Sequence, residues 1–248
     1  DNDNFHVALS SQVHISSVET LSNGHFTTQQ KRPIDHMTLA SRWMIAPDKA
    51  LQTVNVTTQR GVRTCVNPTL SRRYPTNDRL LRLTRLPHHM FTDTLVSGTR
   101  SNRGNKYSQV FTAPYGWTRA FPMKRKGDAH QALTLLFHRD GVPPAMVMDG
   151  SKEQTLGDFR RKLKEADCHL RQTEPYSPWM NAAESAIREL KRGVSRKMIR
   201  TRSPKVLWDH CIELEALIRS HSVNTIYATG GQVPETIMTG TTADISHI

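Results

Sequence analysis

The sequence predicts an α/β fold for residues 87–226, preceded by a small helical segment. From about residue 87 onward, segments that alternate like strands are followed by segments with helical spacing, and this succession is typical of an α/β domain. The chain has 248 residues, which is enough to bury a sizeable core. We therefore expect one domain of ordinary size with a small companion.

The elements of the α/β region follow in a regular order. Strands are predicted at HMFTDTLVS, YSQVFTA and WTRAFPM, with the last two joined by a short turn at residues 114–116 as an antiparallel hairpin. Next come a helix at GDAHQALTLLFHRD, the apolar run PAMVM, a helix at LGDFRRKLKEAD and a short strand at HLRQT. Two longer helices are predicted from about Asn181 to Met198 and from about Pro204 to Asn224.

Residues 35–70 are predicted to form a small helical domain. Apolar residues fall at Leu39, Trp43 and Met44 and then at Ala50, Leu51 and Val54, and Pro47 is well placed to begin the second of two short helices. The pattern resembles a helix-turn-helix, which would read DNA. A packing unit without DNA contacts is the commoner use of such a helix pair.

Three other segments lack a sustained period. Residues 1–34 are rich in Ser, Thr, Asn and Gln, and we expect a linker or the remnant of an upstream part of a polyprotein. Residues 71–86 form an arginine-rich linker, which either follows a phosphate backbone or is simply solvated. Residues 227–248 are predicted to be a truncated carboxy-terminal extension.

The charge of the chain favours a polyanionic partner. The sequence contains 34 Lys and Arg against 22 Asp and Glu, a net charge of +12. Such an excess is typical of nucleic-acid-binding proteins, although chromatin, ribosomal and membrane-surface proteins share it. The three cysteines are scattered, which argues against a disulfide framework and a thiolate zinc site. No run approaches the roughly 18 apolar residues of a membrane span, so we expect no membrane partner.

Three acidic residues are candidates for a metal site. Asp93 lies within a predicted strand on the same face as Leu95, Asp149 ends the apolar run PAMVM, and Glu184 lies near the start of a helix. Each alone has an ordinary explanation: a basic partner for Asp93, an Asp-Gly turn for Asp149, or a capping box with Asn181 for Glu184. Together they favour two Mg²⁺ or Mn²⁺ ions, roughly 3.5–4 Å apart, which would clamp the oxygens of a phosphodiester displacement.

Basic residues follow Glu184 along the same predicted helix. Glu184, Arg188 and Lys191 fall on one stripe, so two cations would flank the carboxylate, although a surface pair with Glu184 explains Arg188 alone equally well. Over residues 188–205, eight Lys and Arg oppose one Glu, and we expect this part of the chain to bind DNA. The candidate DNA-binding residues are Arg188, Lys191, Arg192, Arg196, Lys197 and Arg200.

Several stretches resemble the integrases of retroviruses and retrotransposons. FTDTL, VMDG and above all PYSPWMNAAESAIRELKRG are similar to the catalytic core, and residues 203–248 resemble its continuation in copia-type elements. The resemblance covers about residues 85–248 and implies an RNase H-like fold, a mixed sheet with helices on both faces. It also implies an Asp-Asp-Glu triad of Asp93, Asp149 and Glu184 that binds two Mg²⁺ or Mn²⁺ ions.

The same resemblance implies a function and its partners. The activity would be 3′-end processing and strand transfer of element DNA, with double-stranded DNA and further copies of the chain as partners, in the nucleus after synthesis as part of a polyprotein. The family's amino-terminal zinc module is not matched, because only His36 and Cys65 are present, so we expect no zinc. The interval between Asp149 and Glu184 is one residue shorter than usual. The alternatives are a related transposase, an RNase H-like nuclease, or an inactive DNA-binding remnant.

Overall fold

The structure, a computed structural model, describes residues 33–59, 83–149, 157–172, 182–224, 229–240 and 242–246. Predictions that concern most of the first segment and of the arginine-rich linker, and the proposed helix cap at Asn181, lie outside these ranges. The residues that carry the three candidate carboxylates lie inside them.

Five strands form one mixed sheet in the described part of the chain. They are β1 Met90–Val96, β2 Tyr107–Thr112, β3 Thr118–Met123, β4 Ala145–Met148 and β5 His169–Gln172. Their order across the sheet is β3-β2-β1-β4-β5. β2 is antiparallel to both of its neighbours, whereas β4 is parallel to β1 and β5 is parallel to β4. The predicted α/β fold with a mixed central sheet is therefore confirmed.

Six of the seven described helices occupy positions that the sequence predicts. The seven are α1 His36–Trp43, α2 Pro47–Val56, α3 Ala129–Arg139, α4 Asp158–Glu165, α5 Ala182–Thr201, α6 Trp208–His221 and α7 Pro234–Thr239. The last of them, α7, lies in the segment for which no helix was predicted. Short 3-10 turns precede α3 and α6. None of the described helices combines the length and the apolar character needed to span a lipid bilayer.

The alternation of side chains along the strands creates a core on each face of the sheet. Phe111 and Met146 pack with α3 and α4 on one face, while Leu95 and Val110 pack with α5 and α6 on the other. Val110 and Phe111 are neighbours on β2, so they must point to opposite sides. Helices therefore cover both faces of the sheet.

The first two helices pack on α6. Leu39, Trp43 and Ala50 share a buried cluster with Ile218 of α6 and with Ile245. Of the three apolar positions predicted for α2, Ala50 is buried and Val54 packs against this cluster, whereas Leu51 is exposed. A step of one residue turns a side chain by more than a quarter of a helical turn, so Leu51 lies off the packed face.

Helices α5 and α6 approach each other closely at Gly193. A Cβ atom at this position would overlap the carboxylate of Glu215 on α6, so a larger residue would have to displace that side chain. The same carboxylate accepts a hydrogen bond from the ammonium of Lys197, and both side chains are buried. Arg219 and Lys49 lie near this pair, and burial together with the charge of Arg219 lowers the pKa of Lys49. Lys49, Lys197, Glu215 and Arg219 form what we call the buried charged cluster. In it the carboxylate of Glu215 bonds to Lys197 and its charge also acts on Lys49.

A second buried network attaches α7 to the edge strand β3. Arg119 donates to Asp140 through Nε at 2.9 Å and to both carboxylate oxygens of Glu235 through Nη2. Glu235 also accepts a hydrogen bond from the indole Nε1 of Trp117 at 2.8 Å. The guanidinium of Arg119 lies over the Trp117 ring, 4.5 Å from its centroid. Glu235 of α7 thus contacts residues that lie more than 100 positions earlier in the chain.

Candidate active site

The three candidate acidic residues lie on neighbouring elements. Asp93 on β1 is followed, two residues later, by Leu95, which packs against the α5 side of the sheet. Asp93 therefore lies on the face that α5 covers. Thr92 on β1 is paired with Met148 on the parallel strand β4, so continuing the register by one residue places Asp149 beside Asp93. Glu184 lies in the first turn of α5, which contacts β1.

The charges of these carboxylates act on one another. Asp93 is partly buried, and its Oδ1 accepts a hydrogen bond from the amide of Thr94 at 2.7 Å. Burial raises the pKa of Asp93, the Thr94 hydrogen bond opposes this, and the negative charges of Glu184 and Asp149 raise the pKa further. Three residues that are far apart in the sequence therefore share one electrostatic environment, in which a proton or a cation is favoured near Asp93.

The arrangement limits how a metal could be held. Within the ranges that the structure describes, no three His, Cys, Asp or Glu side chains are grouped so as to hold a single ion. Asp149 and Glu184 are exposed, whereas Asp93 is partly buried, and the charges of both residues act on Asp93. Carboxylate oxygens are the hard ligands that divalent cations such as Mg²⁺ prefer.

One cation near Asp93 was not singled out from the sequence. Lys126 lies in the 3-10 turn between β3 and α3, and its positive charge lowers the pKa of Asp93. Lys126 is exposed and has no ion pair in the part of the chain that the structure describes. The run KRK at residues 124–126 is a visible sequence signal, but its position beside Asp93 depends on the order of the strands in the sheet.

Helix α5 presents a basic outer surface. Glu184, Arg188 and Lys191 are all exposed, as one stripe of the helix requires, and no Glu184–Arg188 ion pair is present among the described residues. Arg192 pairs with Glu189 at 2.7 Å, but both side chains reach solvent. The other exposed cations of this surface are Arg196 and Arg200. Five of the six candidate DNA-binding residues are thus accessible.

Lys197 is the exception. Its side chain is buried and pairs with Glu215 on α6, so it is not available to DNA. The prediction that Lys197 binds DNA is wrong for this physical reason. Lys197 follows Leu190 and Val194 by seven and three residues, and both of these are buried against α6. This spacing is the sequence signal that would have assigned Lys197 to the packed face.

The helix pair α1–α2 carries few exposed basic residues. Lys49 is the cation of α2, and burial and the charge of Arg219 act on it within the buried charged cluster. Arg42 on α1 is exposed, whereas the exposed positions Asp48, Leu51 and Gln52 of α2 are not basic. The apolar residues of the pair pack with Ile218 of α6, which is the arrangement that the packing alternative describes.

Comparisons with known proteins give a likeness of fold. No protein family matches the sequence, and no curated protein is significantly similar to it. A chain from the cryo-EM structure of the simian T-cell lymphotropic virus intasome in complex with PP2A regulatory subunit B56 gamma superposes with a TM-score of 0.53 at 12% identity, covering 82% of this chain and 72% of that one. The catalytic core domain of BIV integrase superposes with a TM-score of 0.44 at 14% identity, covering 61% and 93%. The sheet order and the helices on both faces are those of the RNase H-like fold that the resemblance implied.

Proposed function

We propose that this chain is the catalytic part of an integrase of the copia type, a polynucleotidyl transferase that processes the 3′ ends of element DNA and joins them to target DNA. The observation that carries the proposal is the shared electrostatic environment of Asp93, Asp149 and Glu184 on β1, after β4 and on α5. The sequence stretches that resemble integrases contain these same three residues. The RNase H-like fold is compatible with this assignment, but such a fold alone does not fix a chemistry.

The carboxylates suit two Mg²⁺ or Mn²⁺ ions. Carboxylate oxygens are hard ligands, and Asp93 has no Arg or Lys bonded to it within the described residues. Asp93, Asp149 and Glu184 would hold these ions through their carboxylate oxygens. When bound, such ions stabilise the charge that develops on the attacking and leaving oxygens of a phosphodiester. No role for zinc is proposed.

Rigid elements of the fold hold the candidate carboxylates in position. Asp93 belongs to a central strand that is fixed by buried hydrogen bonds, including Thr92 Oγ1 to the carbonyl of Val110 at 2.9 Å. Glu184 belongs to a helix of 20 residues. Carboxylates that project from rigid elements keep their relative positions, which a two-ion site requires.

The proposed reaction has two steps of the same kind. In end processing, a water oxygen attacks the phosphorus, the bond to a 3′ oxygen breaks, and that oxygen leaves as a 3′ hydroxyl. In strand transfer, the new 3′ hydroxyl attacks a phosphorus of the target, and the bond to the target's own 3′ oxygen breaks. The exposed cations of α5, from Arg188 to Arg200, would hold DNA phosphates during both steps.

The partners proposed for this site are double-stranded DNA and further copies of the chain, with action in the nucleus. The structural neighbour with a TM-score of 0.53 comes from an intasome, and joining two DNA ends needs two active sites. A related transposase or an RNase H-like nuclease would use the same carboxylates, and an inactive remnant would bind DNA without reaction. Donor DNA with recessed and blunt ends separates these cases, because joining marks an integrase and cleavage alone marks a nuclease.

The decisive experiment is Mn²⁺-dependent joining of a labelled donor end to target DNA. Glu184→Gln keeps the size of the side chain but removes its charge, so we expect joining to fall by orders of magnitude while DNA binding is retained. Glu189→Gln is the matched control, since Glu189 lies on the same helix and pairs only with Arg192 in the described structure. Equal joining by the parent and by both variants would refute the catalytic assignment of Glu184.

The DNA surface has its own test. Arg196→Ala combined with Arg200→Ala removes two exposed cations of α5 and should reduce the slope of log affinity against log salt by about two. Arg160→Ala combined with Lys164→Ala, on the exposed side of α4, is the control of equal charge. If both double variants change the slope equally, α5 has no special part in binding.

A further inference from the structure

We propose that Lys126 binds a backbone phosphate of DNA beside the three carboxylates, from a fixed turn that lies outside the basic surface of α5. This inference rests on the proposed function, since it names a substrate contact of the same site. Lys126 lies outside the quoted motifs FTDTL, VMDG and PYSPWMNAAESAIRELKRG. The six candidate DNA-binding residues all belong to α5.

The turn that carries Lys126 is well anchored. β3 ends at Met123, which is buried and paired with Tyr107 on β2, and Tyr107 is in turn paired with Val96 at the end of β1. Because β3 and β1 run in the same direction, Lys126 emerges at the carboxyl end of the sheet, as Asp149 does after β4. The position is thus set by the sheet itself.

Hydrogen bonds close the turn on both sides. Oδ2 of Asp128 accepts from the amide of Arg125 at 3.0 Å, and the amide of Asp128 donates to the carbonyl of Arg125 at 3.1 Å. The next residue, Ala129, is buried at the start of α3. A cation on such a turn loses little backbone freedom when it binds a ligand, which favours a specific contact.

The charge of Lys126 is available to a ligand. It is close enough to act on Asp93, yet its ammonium has no carboxylate bonded to it among the described residues, and the side chain is exposed. Three carboxylates at one site repel a phosphodiester, and a nearby cation reduces that repulsion. Lys126 adjoins α3 on one face of the sheet, whereas Arg188 and Lys191 project from α5 on the other. DNA at the carboxylates would therefore meet cations from both layers.

The test is binding of a short labelled duplex without metal, which requires no catalysis. Lys126→Ala should reduce the salt slope of affinity by about 0.9, the value for one phosphate contact, and Lys126→Arg should restore it. Lys124→Ala is the matched control, because Lys124 carries the same charge and is exposed in the same segment but precedes the turn. Thermal unfolding of each variant checks that the fold is kept.

A second measurement identifies the phosphate. Replacing single phosphates of the duplex by neutral methylphosphonates should reveal one position where the parent and Lys124→Ala lose affinity but Lys126→Ala does not. If Lys126→Ala keeps the parental slope, or loses affinity at the same positions as the parent, the contact does not exist. Joining of DNA ends by the parent protein is measured in a separate assay. If the parent joins ends but Lys126→Ala binds like the parent, the Lys126 contact is refuted and the proposed function stands. If Lys126→Ala shows the loss of one phosphate contact but the parent never joins ends, the proposed function is refuted and the contact stands.

Discussion

Asp209 is fully buried and Asp93 is partly buried, yet the pKa values of the two carboxyl groups shift in opposite directions. Asp209 is fully buried and accepts hydrogen bonds from Arg103 Nε at 2.7 Å and Asn105 Nδ2 at 2.8 Å. Burial alone would raise the pKa of Asp209, but the hydrogen bonds from Arg103, Asn105 and Ser101 hold it below its ordinary value. Burial raises the pKa of Asp93, and the charges of Glu184 and Asp149 add to that effect.

The presence or absence of a bonded cationic side chain distinguishes acids that stabilise the fold from acids that are available to a ligand. The carboxylates of Asp209, Glu215 and Glu235 each bond to a cationic side chain of the chain itself. Asp93 accepts a hydrogen bond from a backbone amide instead, and the charges of Glu184 and Asp149 act on it together with the opposing charge of Lys126. Leaving a partly buried carboxylate in this state costs free energy, and a cation from solution would offset that cost. Variants of the two classes should therefore fail in different ways.

The largest expected effect belongs to Asp93→Asn. This change removes the charge but keeps the shape, and strand transfer in Mn²⁺ should fall by orders of magnitude. Because the amide no longer suffers repulsion from Glu184 and Asp149, the unfolding temperature without metal should be equal to that of the parent or higher. An inactive variant with a much lower unfolding temperature would place Asp93 among the structural acids instead.

Glu215→Gln should show the reverse pattern. It removes the charge that pairs with Lys197 and acts on Lys49, and breaking a buried pair of this kind costs about 3–5 kcal/mol. Urea unfolding measures the loss. Glu189→Gln, at an exposed pair, is the matched control and should change the free energy of unfolding by less than about 0.5 kcal/mol. Equal stability of the two variants would mean that the charged cluster contributes nothing.

Metal binding should appear as a thermal shift. Mn²⁺ that binds only the folded chain raises its unfolding temperature by an amount that grows with the logarithm of the Mn²⁺ concentration once this exceeds the dissociation constant, by about a few degrees. Asp93→Asn should lose most of this shift, whereas Asp209→Asn should keep it from a lower starting temperature. A shift that survives in Asp93→Asn would point to ions bound elsewhere.

The smallest effect is a difference in pH dependence without metal. The folded-state pKa of Asp93 lies above its ordinary value of 3.8, so its contribution to stability is present below that value and is lost as the pH rises through the raised pKa. The pKa of Asp209 lies below 3.8, so its contribution is present above that value and is lost as the pH falls. Asp93→Asn should thus gain over the parent toward neutral pH, while the cost of Asp209→Asn should shrink in acid. Parallel pH profiles of unfolding temperature for the two variants would contradict this.

Local patterns in the sequence predicted most of the fold. Alternation placed Asp93 on a strand, the apolar run placed Asp149 at a strand end, and Pro47 began α2 as expected. These features depend on neighbours within a few residues, and short-range sterics determine them. The α/β class followed because strands and helices succeed each other along the chain.

The errors concern contacts between distant segments. Lys197 was assigned to a DNA surface because it belongs to the excess of basic residues over 188–205, but its partner Glu215 lies on the next helix and could not be identified from spacing alone. Lys126 was missed because only the sheet order brings the end of β3 near β1. The joint position of the three acids likewise depended on a resemblance, since no local pattern connects Glu184 to Asp93.

The contact of Glu235 with Trp117 and Arg119 has a consequence for how the chain is made. The hydrogen-bonded residues are 118 and 116 positions apart, so the acceptor leaves the ribosome long after both donors. Until then the indole and the guanidinium beside β3 lack this carboxylate, and the edge of the sheet is incompletely covered. We expect the nascent sheet to depend on chaperones during that interval, with native protease resistance gained only when α7 has emerged.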